Sequence, residues 1–266
     1  MTVSDAPVAE ATGRINLLAV SHQYIADDGS PVDALGETTL EIPAGQFVCV
    51  VGPSGCGKST LMNAIAGFLK PTGGDITVDD APISGPGADR GVVFQQPNLF
   101  PWLTVGDNVE LGLRFRGVPK AERSERAAHF LELVGLAGTA KQKPYELSGG
   151  MRQRAQIARV LANNPTIMLM DEPFGALDAL TREKLQSDLL SIARRQKTTV
   201  FFITHSVEEA VFLGNRVLVM SPRPGRVIQD VPIDISAHYG RVMGDELRST
   251  PEFIALRDEI TAAIGR

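Results

Sequence analysis

The feature that most constrains this chain is a nine-residue loop, Gly52-Pro53-Ser54-Gly55-Cys56-Gly57-Lys58-Ser59-Thr60. It directly follows the apolar run Phe47-Val48-Cys49-Val50-Val51 and opens a helical pattern. Its glycines let the backbone curl until several N–H groups converge on one point, and the following helix turns its positive end toward the same point. Such a point binds phosphate. Lys58 adds a charge for the β and γ phosphates, and Ser59 offers a hydroxyl to Mg²⁺. Within strand, loop and helix this is a P-loop, and it predicts a nucleoside triphosphate and Mg²⁺ as ligands, with the Cys56 thiol near the phosphates. By itself the loop does not separate an ATPase from a GTPase.

A P-loop needs a strand beneath it, and the rest of the chain supplies neighbours. Short β-branched runs alternate with helical patterns: 46–51 then 58–68, 166–170 then 179–195, and 198–203 then 207–213. That alternation predicts an α/β layer with a mostly parallel sheet. The opening segments 15–20 and 38–42, with Asp28-Gly29 between them, predict an antiparallel β edge. From Pro97 to Ala162 strand signals vanish and helical periodicity takes over, with Phe130, Leu133 and Val134 on one stripe. The expected organisation is an α/β P-loop ATPase core over 15–230 with a helical subdomain inserted at about 97–162, rather than ordinary crossover helices of one continuous domain. Residues 1–14 read as a disordered tail, and 231–266 as a short extension ending in a helix at 251–264.

Composition excludes several alternatives. Lys and Arg total 26 against 31 Asp and Glu, a net charge of −5, so no global positive field exists to attract nucleic acid or an anionic membrane. The longest apolar runs, such as 167–170, 200–203 and 217–220, have strand length and cannot span a bilayer. Any membrane association must therefore come through a protein partner. Cys49 and Cys56 lack the number and spacing of a disulfide framework or zinc site and read as free thiols in a reducing compartment.

A second constellation completes the chemistry. Ile167-Met168-Leu169-Met170-Asp171-Glu172-Pro173 is an apolar strand that delivers two adjacent carboxylates at its C-terminal edge. Successive strand residues point to opposite faces, so the pair takes separate tasks: Asp171 holds Mg²⁺, and Glu172 polarises the attacking water as general base.

Leu147-Ser148-Gly149-Gly150-Met151-Arg152-Gln153-Arg154, before a helix and upstream of Asp171, resembles the signature of ABC ATPases. Other elements of that family follow in order: Gln95 after Val92-Val93-Phe94, Ala176-Leu177-Asp178 after Glu172, and His205 after the strand 200–203. The resemblance spans residue 15 to about 227. It implies that Gln95 links the helical subdomain to Mg²⁺ and water, that Asp178 communicates across a dimer, and that His205 contacts the γ phosphate. Tyr24 is similar to the aromatic on which relatives stack adenine. The resemblance further implies a nucleotide sandwich, in which Ser148, Gly149 and Gly150 of one copy face the P-loop of the other, so that the working unit is a homodimer.

The implied setting is the cytoplasmic face of the cell membrane, reached through separate permease subunits that an exported solute-binding protein supplies. DNA-organising relatives carry a long coiled coil between P-loop and signature, and ribosome-associated ones two cassettes; this chain has neither feature. Gly85 to Gln95, Pro101-Trp102-Leu103-Thr104-Val105 and Met170 to Asp178 resemble the nitrate, sulfonate and taurine importer branch. Ser221-Pro222-Arg223-Pro224-Gly225-Arg226 and Ser249 to Ile254 lean toward taurine, ahead of nitrate or a thiamine-precursor pyrimidine. Two departures stand out: Met151 replaces the commoner glutamine, and Ser206 stands where an Asp commonly follows the histidine. The permease groove is expected just after Gln95, including Phe100 and Trp102.

Overall fold

The computed structural model describes residues 12–235 and 245–265; most of the stretch read above as a tail lies outside them. The core is a six-stranded sheet in the order β10-β9-β3-β8-β7-β6, from β3 (Phe47–Val51), β6 (Arg90–Val93), β7 (Ile167–Asp171), β8 (Thr199–Ile203), β9 (Arg216–Met220) and β10 (Val227–Pro232). All neighbours pair in parallel except β10, which returns antiparallel to β9. The α/β expectation with a mostly parallel sheet is borne out.

The central strands are buried along their whole length, and their alternation explains why. Phe47, Cys49 and Val51 of β3, Met168 and Met170 of β7, and Val200 and Phe202 of β8 enter one apolar cluster. The residues between them, Val48, Val50, Ile167, Leu169, Phe201 and Ile203, enter a second on the opposite face. A strand apolar on both faces must be covered on both. On the second face lie α1 (Lys58–Ala66) and a four-stranded antiparallel sheet, β2-β1-β4-β5, built from β1 (Ile15–Ile25), β2 (Pro31–Ile42), β4 (Gly73–Val78) and β5 (Ala81–Pro82). Gly13 and Arg14, at the end of the stretch read as a tail, donate from their backbone N–H groups to Asp79 Oδ1 at 2.9 Å.

The first face is covered by α2 (Val105–Phe115), α3 (Lys120–Leu133) and α4 (Gly149–Ala162), which lie between β6 and β7 and pack on one another. Residues of α5 (Ala179–Gln196), α6 (Val207–Leu213) and the C-terminal helices α7 (Asp245–Arg248) and α8 (Pro251–Ile264) complete that cluster, with α8 against α6 and β9. Local signals set the helix ends. Thr104 and Asp107 form a capping box at α2, and Ser148, Asp178, Ser206 and Thr250 each accept a backbone N–H at the start of α4, α5, α6 and α8.

Because every parallel strand ends on the same side, the loops after β3, β7 and β8 share one edge, and the site is built there. Phe202 is fully buried beneath that edge, its ring 5.8 Å from Phe47 and 5.7 Å from Phe174, two residues beyond Glu172. Phe202→Ala should cost about 3–5 kcal/mol. Urea denaturation checks this, with a lowered midpoint at unchanged slope as the expected result.

Candidate functional site

The P-loop leaves β3 with Gly52, Gly55 and Gly57 at φ +155°, +73° and +98°. Gly57 shows why no side chain fits: a Cβ there would stand 2.6 Å from the Ala34 carbonyl oxygen. Lys58 is buried, and its ammonium spans the loop to the Gly52 carbonyl at 2.8 Å and that of Pro53 at 2.9 Å. The Cys56 sulfur lies 3.6 Å from the same ammonium and 3.1 Å from an ideal Cβ on Gly52. The thiol is therefore buried beside the Lys58 ammonium, with only 1% of the residue exposed.

A cavity of about 280 Å³ opens at this loop, lined by Ser54 through Thr60 together with Tyr24, Gln95, Glu172, His205 and Arg223. Tyr24 is half exposed at its rim, its hydroxyl 3.4 Å from Thr60 Oγ1. Asp171 stands behind Ser59, whose hydroxyl donates to Asp171 Oδ2 at 2.7 Å. Burial, the largest influence, pushes the Asp171 carboxyl above its ordinary range; the Ser59 hydrogen bond opposes this and the neighbouring Glu172 charge adds to it. A dication at this point would restore the charged form. Ser59, Asp171 and Gln95 leave room for waters and phosphate oxygens, which suits the coordination habit of Mg²⁺.

Glu172 is the centre of the arrangement. Its backbone sits at φ +47°, a left-handed conformation costing a non-glycine residue about 1–3 kcal/mol, and its N–H is held by the Ile203 carbonyl at 2.9 Å. Its Oε2 meets His205 Nε2 at 2.5 Å and accepts from Gln95 Nε2 at 2.9 Å. Residues from β7, β8 and the segment after β6 thus converge on one carboxylate, as expected for side chains at adjacent parallel strand ends.

Ser148, Gly149, Gly150 and Asp178 do not line that cavity. Ser148 and Gly149 are exposed, and a Cβ on Gly149 would meet open space. Ser148 Oγ accepts from Met151 N at 3.2 Å, and Asp178 Oδ1 from Thr181 N at 3.0 Å. That backbone hydrogen bond is the largest of the influences holding the exposed Asp178 carboxyl below its usual range.

Sequence reasoning missed two polar networks around these residues. In the first, buried Gln153 and Gln156 of α4 donate to the Phe94 carbonyl at 3.3 and 2.8 Å, and Gln156 Oε1 accepts from Asn98 N at 2.7 Å. The helix that begins with Ser148 to Gly150 therefore grips the segment carrying Gln95. Two glutamines three apart on an otherwise apolar helix face were the available signal.

In the second, buried Glu209 accepts from Thr204 Oγ1 and from Gln186 Nε2, the latter at 2.7 Å. Thr204 Oγ1 accepts from Ser206 N at 3.0 Å, and Ser206 Oγ caps Glu209 N at 3.2 Å. Both neighbours of His205 are thus pinned, and Ser206 performs the capping that an Asp would. Arg248 of α7 closes the network on Gln186 Oε1 at 3.1 Å and lies over the Phe212 ring at 4.9 Å. Its contribution was illegible because it lies far along the chain.

Burial pushes the Glu209 carboxyl up, outweighing the Thr204 and Gln186 hydrogen bonds that lower it. A raised folded pKa contributes stability that is full below the ordinary carboxylate range and lost as pH rises through the raised value. Glu209→Gln removes this dependence while adding a constant penalty, since an amide N–H₂ would face a donor. The melting temperature of the variant minus that of the parent should therefore rise from about pH 4 to about pH 8. A flat difference across that range would place Glu209 in an ordinary environment.

Comparison with known proteins agrees with this geometry. The family model described as ABC transporter matches residues 35–175. A taurine import ATP-binding protein of Rhizobium johnstonii is 54% identical over 253 residues, covering 93% of this chain and 96% of its own. An uncharacterized ABC transporter ATP-binding protein of Methanocaldococcus jannaschii is 50% identical over 238 residues, 89% of each chain. A bacterial ABC transporter cassette solved as a dimer superposes with TM-score 0.77 at 38% identity, covering 82% of this chain and 98% of that one. A cassette dimer in a post-hydrolysis state bound to ADP and Pi gives 0.76 at 37%, with the same coverage. This chain belongs to the ABC transporter family as an ATP-binding, ATP-hydrolysing subunit.

Proposed function

We propose that two copies of this chain close around two MgATP molecules and drive uptake of a small anionic or zwitterionic solute, an organosulfonate such as taurine first, through separate permease subunits. The observation that carries the reading is the division of the site. P-loop, Glu172, Gln95 and His205 share one cavity, whereas Ser148 to Gly150 stand outside it at a helix start, Ser148 and Gly149 exposed. Helix N–H groups so placed fit the phosphates of ATP held by a second copy. Relatives named for taurine import, in Rhizobium johnstonii and in Yersinia pestis at 47% identity, support the solute class.

In the proposed reaction the P-loop N–H groups and Lys58 hold the polyphosphate, and Tyr24 stacks on the base. Ser59, Asp171 and Gln95 hold Mg²⁺, which neutralises charge on the β and γ phosphates when bound. Glu172 orients water and accepts its proton. His205, fixed through Thr204 and Ser206, sets the position of the Glu172 carboxylate and reaches the γ phosphate. ATP favours the closed dimer and hydrolysis removes that preference, so chemistry becomes motion.

No helix among the described residues is long and apolar enough to cross a membrane, which fits motor action through a partner. An apolar groove of about 690 Å³, lined by Phe94, Phe100, Leu111, Phe115, Arg159 and Val160 among others, is the proposed permease seat. Trp102 lies outside this lining, its ring 5.3 Å from Phe100. Phe115 is 81% exposed there.

Two measurements test the proposal. Glu172→Gln should bind MgATP, turn over at least about 100-fold more slowly and accumulate as a dimer by size-exclusion chromatography, because the cradle remains while the base is lost. Near-normal turnover would remove Glu172 from its assigned role. Phe115→Asp should leave ATPase activity of the isolated subunit unchanged but abolish co-purification with co-expressed permease subunits. Retained co-purification would move the seat elsewhere.

A further inference from the structure

One cation of the nucleotide cavity has no part in the reading above. Arg223 lines the same cavity as Lys58, Ser59 and Tyr24, and its Nη2 lies 3.9 Å from an ideal Cβ on Gly55. The guanidinium is exposed, and among the described residues it has neither a hydrogen bond nor an ion pair; the Glu172 carboxylate of that cavity is engaged by His205 and Gln95.

The loop that carries Arg223 is fastened to the phosphate cradle rather than hanging free. It joins β9 to β10 and is closed by Ser221 N to the Arg226 carbonyl at 2.9 Å and by Arg226 N to Ser221 Oγ at 3.1 Å. Gly225 N donates to the Ala34 carbonyl at 3.2 Å, and its own carbonyl accepts from Gly36 N at 2.8 Å. A Cβ on Gly225 would stand 1.7 Å from the Cys56 carbonyl oxygen, so this position must be glycine for the loop to lie on the P-loop. Pro222 and Pro224 flank Arg223 and narrow the backbone freedom of the whole turn.

We propose that Arg223 is a second phosphate-binding cation of this ATPase, contacting the polyphosphate of ATP or ADP from its place beside Gly55. The inference rests on ATP binding at the P-loop. A guanidinium forks onto phosphate oxygens with directed hydrogen bonds, which a lone ammonium cannot reproduce. The preset loop lowers the entropy lost when the contact forms. Lys58 and Arg223 together place two positive charges against an anion that the chain, at net charge −5, would otherwise repel at long range.

The test is equilibrium binding of MgATP, MgADP and AMP to the parent chain, Arg223→Ala and Arg223→Lys by isothermal titration calorimetry, with steady-state ATPase kinetics alongside. Arg223→Ala should weaken MgATP and MgADP about 10-fold, leave AMP unchanged, and raise KM with little change in kcat. Arg223→Lys should fall between it and the parent, and the difference should narrow as salt rises. The side chain is exposed and unpaired, so the melting temperature without nucleotide should not move, which separates lost binding from lost folding. MgATP affinity of Arg223→Ala within 2-fold of the parent, or a fall in kcat at unchanged affinity, overturns the proposal. Failure of the parent chain itself to bind MgATP would instead overturn the ATP site on which it rests.

Discussion

The chemistry of this chain turns on how one carboxylate is held. Glu172 leaves the end of β7 in a left-handed backbone conformation, and two groups from different parts of the chain, Gln95 and His205, close on the same oxygen. A strained residue persists only when its surroundings overdetermine it. Here they do: β7 and β8 pair along their length, Glu172 N is bound to Ile203, and Phe174 and Phe202 pack immediately beneath. The sheet and both of its apolar faces therefore serve to fix that carboxylate relative to Ser59 and Lys58.

From this centre two polar networks run outward. Through Gln95, Phe94 and the glutamines of α4, the site is tied to the start of the helix where Ser148, Gly149 and Gly150 lie. Through His205, Thr204, Glu209, Gln186 and Arg248, it is tied to the C-terminal helices. Each network runs from an exposed group on the Glu172 carboxylate, Gln95 or His205, into buried hydrogen-bonded side chains, Gln153 and Gln156 in one and Thr204, Glu209 and Gln186 in the other, where a local shift is costly. A family that converts hydrolysis into movement of a partner needs connections of this kind.

Much of this was legible in the sequence, for physical reasons. Lys58 and Ser59 follow an apolar strand, and Asp171 and Glu172 end another, so their arrival at one sheet edge follows from parallel topology. Tyr24 and His205 were legible only through the order of family elements, since neither carries a local pattern. The antiparallel edge was visible in β1 and β2, whereas β4 was obscured because it opens with Gly73-Gly74-Asp75, poor strand formers held by pairing with β1. Glu209, Arg248 and the α4 glutamines could not be found by motif, because their role lies in burial and in partners distant along the chain. Arg223 was noticed only as part of a family-like tail; its placement beside Gly55 came from the loop that Gly225 seats against Cys56.

The central claim is that hydrolysis occurs at a site built from two copies. Mixing two inactive variants tests it most directly. Lys58→Ala removes the phosphate charge, and Gly149→Asp sets a carboxylate at the open start of α4, where a Cβ meets nothing and folding is undisturbed. Each alone should be inactive. In a mixed dimer one composite site carries both defects and the other carries neither, so ATPase activity should reappear on mixing. An equimolar mixture as inactive as its parts would contradict the account.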